Sequence, residues 1–186
     1  MHKKFLLPSA LILMLLGGCI RSFQPLYTEA DLRFDPKLVG TWDDEGSKEI
    51  WQFTAGDGKF YDLTYTDSDG ENALFTIHLL ELNGQRFIDF YPAEVEIPAN
   101  SFYIYHLLGV HTFMHVRQIE PTLQMSSPET DWLEELLQAD PTLLQHEVID
   151  GNIYLSASTQ KLQAFWAEHL ETEGAFSEYC NMARKE

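Results

Sequence analysis

The 186-residue chain predicts a mainly β fold of the β-rich α+β kind: an antiparallel meander forming a barrel or strongly curved sheet, with two or three helices packed at one side or end. Three observations carry this. Short segments of alternating apolar character are separated by turn dipeptides, and two amphipathic helical patterns interrupt them late in the chain. Hydrophobic residues make up 45% of the chain and aromatic residues 13%, enough to bury a core despite a net charge of −17.

The elements follow in order. Phe34-Asp35-Pro36 opens the body, Asp35 suiting the cap of a helical turn that Pro36 begins. Residues 49–54 and 60–65 alternate in character and are joined by Gly56-Asp57-Gly58, as in a hairpin. Residues 74–82 and 86–91 flank Asn83-Gly84, whose tolerance of positive φ suits a two-residue type I′ turn. Residues 102–119 are rich in aromatic and β-branched side chains and predict a strand broken or bulged at Gly109, after which Glu120-Pro121 turns into Leu123-Gln124-Met125. A helix is predicted over 128–138, capped by Ser126 or Ser127, with Trp132, Leu133, Leu136 and Leu137 on one face. Asp140-Pro141 begins another short helical turn, and 145–149 with 152–156 form a hairpin around Asp150-Gly151. Ser158 caps a helix whose Leu162, Phe165, Trp166 and Leu170 recur at core spacing, and a strand over 177–183 ends the fold.

The N-terminus reads differently. His2, Lys3 and Lys4 precede an apolar run over 5–16 and then Gly17-Gly18-Cys19, the layout of a signal peptide. The run is shorter than the roughly 18 apolar residues of a spanning helix and contains Pro8 and Ser9. Leu16-Gly17-Gly18-Cys19 resembles the lipobox of bacterial lipoproteins, with an ordinary secretory signal and an incidental cysteine as the plainer alternative. The resemblance implies cleavage after residue 18 and two or three acyl chains, palmitate or similar, on Cys19, which suffices for stable anchoring. It also implies a cell-envelope location, with Ile20 rather than aspartate after the cysteine favouring the outer membrane in a Gram-negative host. The expected organisation is a signal peptide over 1–18, a lipidated cysteine and tether over 19–33, and one globular domain over 34–186.

Without residues 1–18 the chain keeps 168 residues, with 10 basic against 29 acidic and a net charge of −19. Such a surface repels phosphate backbones, so no nucleic-acid partner is expected. With Cys19 lipidated, no intramolecular disulfide framework is open to the chain, and Cys180 reads as a small strand residue rather than a reactive thiol.

Val39-Gly40-Thr41-Trp42, just after a capped turn, resembles the first conserved region of lipocalins. The resemblance implies a lipocalin-like barrel in which Gly40 permits tight backbone passage and Trp42 plugs the base, with Arg184 as the candidate cover for the indole. The chain departs from the family in lacking a clear T-D-Y region and in the helices after residue 127. The segment from His106 to Phe113, His-Leu-Leu-Gly-Val-His-Thr-Phe, is similar to one in short bacterial lipoproteins of a family without an assigned activity; this implies location and adds nothing on mechanism.

Candidate sites are few. His78, His106, His111 and His115 invite a metal, but His111 and His115 in a strand stand roughly 13 Å apart, too far to share one. No metal or other cofactor is therefore expected. By strand parity His111, Phe113, His115 and Arg117 share a mixed face, either the outer face of a sheet or the lining of a cavity with polar anchors; Val110, Thr112, Met114 and Val116 share an apolar one. The mixed set is the ligand-binding candidate. Asp67-Ser68-Asp69-Gly70-Glu71 departs from the EF-hand pattern because its glycine stands fourth, and a solvated loop explains it. Asp131, Glu134 and Glu135 read as the wet face of a helix. No nucleophile elbow, phosphate-cradling loop or H-E-x-x-H pair is present, so no catalytic residue is assigned.

The expected function is thus a non-enzymatic envelope binding module for a small apolar or amphipathic ligand. A protein-interaction or assembly subunit of an envelope complex is the alternative. A hydrolase would need a serine and a carboxylate to converge on His111 or His115.

Overall fold

The computed structural model describes residues 20–43, 47–94 and 97–185, so Cys19 and the signal-peptide reading lie outside the described residues. Eight antiparallel strands form a closed barrel: β3 (Gly40–Asp43), β4 (Ile50–Ala55), β5 (Tyr61–Thr66), β6 (Asn72–Leu82), β7 (Gln85–Pro92), β8 (Thr112–Gln118), β9 (Thr122–Ser126) and β12 (Cys180–Lys185). The first seven run as a meander, and β12 closes the ring by pairing with both β9 and β3. The Asn83-Gly84 turn has φ of 52° and 80°, the two positive values a type I′ turn requires.

A second layer wraps one side. It holds β1 (Arg21–Ser22), β10 (His146–Ile149) and β11 (Asn152–Leu155) as a small sheet, together with α2 (Thr130–Ala139) and α3 (Thr159–His169). Short β2 (Leu32–Arg33) pairs with the later half of β6. Alternation along each strand divides the core in two. In β7, Ile88 and Phe90 point into the barrel with Leu63, Ile77 and Met125, while Phe87 points out to meet Leu133, Leu162 and Trp166 beneath the helices. In β8, Met114 and Val116 point in and Phe113 points out.

The barrel base follows from Gly40 and Trp42. Trp42 is fully buried and donates its indole N–H to the Leu38 carbonyl at 2.9 Å. The Arg184 guanidinium lies 4.3 Å from the centre of the Trp42 ring and donates to the carbonyls of Val39 and Lys37. Gly40 has φ of 144°, and a Cβ there would stand 2.1 Å from Arg184 Nη1, so only glycine lets the guanidinium reach the indole.

Four sequence expectations are corrected. Residues 102–108 are not a strand: α1 (Ser101–Ile104) forms where Asn100 Oδ1 accepts the Phe102 N–H, and a loop follows as far as β8. Aromatic and β-branched residues favour strands by fitting a half-buried sheet, and no neighbouring strand reaches this segment. Helix α2 begins later than predicted, with Glu129 at its N-cap, because Ser126 completes β9 and Ser127 is tied to Ser177. Asp140 closes a turn with Thr142 rather than opening a helix. Residues 20–33 are not a free tether: Ile20, Leu26 and Leu32 are buried, and β1 adds in parallel to β11.

Candidate functional site

The strands leave a cavity of about 740 Å³ in the lumen, lined by Trp51, the cross-strand partner of Trp42. Its wall is the lumen end of the meander: Trp51, Tyr65, Phe75 and Phe90 supply aromatic faces, and Leu63 and Met114 supply aliphatic ones. These rings are braced against one another, Trp51 meeting Tyr65 and Phe90 edge to face at 5.1 and 5.9 Å. The polar rim comes from the start of α2 and the residues before it, with Ser127, Glu129, Thr130 and Asp131, and Ile20 borders the same opening. No lysine, arginine or histidine lines the cavity among the described residues. Burial, together with the carboxylates of Glu49 and Asp67, pushes the Tyr65 phenol up to about 12. The volume and the mix of apolar wall and few polar groups are those of small-molecule sites, which span roughly 300–1,000 Å³.

The four ligand-binding candidates read from the sequence sit elsewhere. Their shared face turns outward from the barrel, where Phe113 and His115 are buried and Arg117 is exposed, and only Phe113 borders the cavity. The cavity is lined from the opposite face of the same strand, by Thr112 and Met114. His115 is buried; its Nε2–H donates to Gln85 Oε1 at 3.2 Å, and its Nδ1 accepts from the Tyr179 hydroxyl at 2.7 Å. Arg117 lies 3.9 Å over the Tyr179 ring.

Burial, with the charges of Arg117 and Arg86 adding to it, pushes the His115 imidazole from 6.5 down to about 4. The unfolded chain therefore takes up this proton first as pH falls, and the fold loses stability between about pH 6.5 and 4. The loss attributable to His115 is at most roughly 3 kcal/mol. Urea denaturation at pH 7 and pH 4.5 should show it, and His115→Gln should flatten the difference.

His111 donates from Nδ1 to Asp89 Oδ1 at 2.7 Å, and Asp89 is fully buried. The other Asp89 oxygen accepts the Leu26 N–H at 2.8 Å. Tyr27 stacks on His78 at 4.2 Å and meets His111 edge-on. Burial pushes the His78 imidazole down and, with Asp89 and Glu29 nearby, the Tyr27 phenol up to about 12. An aspartate–histidine pair resembles part of a hydrolytic triad, which needs a nucleophile within hydrogen-bond reach of the ring. The ring of His111 is held by Asp89, and that of His115 by Tyr179 and Gln85. The pair instead joins the N-terminal segment to β7 and the start of β8.

Gly40 and Trp42 lie in β3, with the Arg184 guanidinium over the indole. The Asp67–Glu71 segment closes as a hairpin loop in which Asp67 Oδ1 accepts the N–H groups of Asp69 and Glu71. No group of three or more histidine, cysteine, aspartate or glutamate residues is placed to hold a metal among the described residues. Sequence reasoning missed Asp89, which carried a usable signal, a lone charge inside the apolar run Phe87-Ile88-Asp89-Phe90. The ligand-binding reading called for a cavity lined by aromatic residues of the meander, but the residues offered as its lining lay on the other face of β8. Compared with family models, curated proteins and solved structures, the chain has no match.

Proposed function

We propose that this chain is a lipid-anchored envelope protein whose barrel holds a small apolar or amphipathic molecule in the cavity lined by Trp51 and Tyr65. The observation that carries this reading is the lumen itself: about 740 Å³ walled by Trp51, Tyr65, Phe75 and Phe90 in a barrel whose strands close into a ring. The Gly40, Trp42 and Arg184 cluster supports a distant relation to lipocalins. Among the described residues no helix is long and apolar enough to cross a membrane, so attachment in this reading rests on lipid at Cys19. Changing Cys19→Ser should release the protein from the membrane fraction; retention with no lipid on residue 19 would overturn the anchor.

The charge at the rim narrows the ligand class. Glu129 and Asp131 line the opening with no cationic side chain beside them among the described residues, so a cationic or neutral head is favoured over a fatty-acid carboxylate. Calorimetric titration with chain-matched alkylammonium and alkylcarboxylate amphiphiles tests this. The ammonium should bind more tightly by on the order of tenfold, and the double variant Glu129→Gln, Asp131→Asn should remove the preference. Thr112→Trp, which projects an indole into the cavity, should weaken both ligands at least about tenfold. Equal binding by T112W and the natural chain would place the ligand elsewhere.

A further inference from the structure

The loop between β7 and β8 exposes large apolar side chains: Phe102 is 75% exposed, Tyr105 85% and Leu108 73%, with Tyr103 and Leu107 beside them. Contiguous exposed apolar surface of this kind marks an interaction site. Residues 97–116 contain no aspartate, glutamate, lysine or arginine, in a chain carrying 29 acidic residues. The loop leaves β7 just past Phe90 and returns just before Thr112, both of which line the cavity, so it rises from the open end of the barrel.

The start of the domain is fixed to the same place. Ile20 borders the cavity, and Ser22 exchanges two backbone hydrogen bonds with His111, at 2.9 and 2.8 Å, where the loop ends. Lipid on Cys19 would begin one residue from Ile20. We infer that the loop over 97–108 is a membrane-contacting element: its aromatic and leucine side chains enter the interfacial zone of a zwitterionic bilayer, with the barrel mouth turned toward that surface. The orientation rests on the lipid-anchor reading given above.

The chemistry fits this occupant. Tyrosine and phenylalanine suit the boundary between headgroups and acyl chains, and a charge-free segment enters it without desolvating an ion. The acidic remainder of the domain is kept off anionic headgroups, which is why the bilayer is zwitterionic. The closed base, with Arg184 and Lys37, stands farthest from the membrane. A hydrophobic ligand then passes between bilayer and cavity along the loop.

The test uses the lipidated full chain carrying Cys180→Ser, with a nitroxide label on Tyr105→Cys or, at the base, on Lys37→Cys, in phosphatidylcholine vesicles. Power saturation against oxygen and a water-soluble nickel chelate reads immersion. The expected result is a Tyr105 label that gains oxygen access and loses nickel access on the vesicles, while the Lys37 label remains aqueous. A Tyr105 label as aqueous as that at Lys37, on protein that floats with the vesicles, overturns the loop assignment and leaves the anchor standing. Dipolar broadening at Tyr105 would show that a second copy covers the loop and would equally overturn the assignment. Protein that fails to float, with no lipid on residue 19, overturns the anchor and the orientation together.

Discussion

Replacing Asp89 by alanine is expected to lower the stability of the fold by about 3–5 kcal/mol, since it strips two buried donors of their shared acceptor. Asp89 is fully buried, and its two oxygens bind different parts of the chain: Oδ1 takes His111 Nδ1–H and Oδ2 takes the Leu26 N–H. Alanine leaves a buried N–H and an imidazole without their acceptor, and water has little room to replace it. The loss extends beyond the pair, because His111 also holds Ser22 through two backbone hydrogen bonds. Asp89→Asn keeps the shape and one acceptor oxygen, so it should cost less than alanine. Urea denaturation curves measure both, and a change below about 1 kcal/mol for D89A would show that the carboxylate is not what joins these segments.

Trp42→Ala is expected to cost a similar amount, about 3–5 kcal/mol, for a different reason. The indole is fully buried at the base of the barrel, packed with Leu38, Leu123 and Met182 and roofed by Arg184 at 4.3 Å. Its removal opens a void where β3 and β12 meet, and Arg184 loses the ring it covers. Trp42→Phe keeps most of the apolar contact and forfeits the indole hydrogen bond to Leu38, so it should fall between the two. Because Trp51 of the cavity wall pairs across from Trp42, Trp42→Phe should also weaken ligand binding, and the amphiphile titration reads how strongly the two indoles are coupled.

Much of the fold was legible because strand physics is local where turns are concerned. Asn83-Gly84 and Asp150-Gly151 declare their hairpins by needing positive φ, which the structure gives both pairs. The parity of β8 was equally readable: Thr112, Met114 and Val116 had to share a face, and they do. Which face would meet a ligand was not readable. A barrel wrapped by a second layer has two covered faces, so Phe113 and His115 of the mixed set can point outward and still be buried, while Arg117 beside them is exposed. The segment around Phe102 misled for a related reason, since β propensity measures fit to neighbours and this loop has none. Residues 20–33 looked like a tether because their burial depends on β11 and Asp89, more than sixty residues away.

The central claim, that the barrel is a container rather than a filled core, is tested most directly by native mass spectrometry of the protein as purified from the bacteria that express it. The expected result is an added mass of one small apolar or amphipathic molecule, lost on denaturation and absent from the T112W variant. A clean protein mass, together with no uptake of either alkyl amphiphile at saturating concentration, would contradict it.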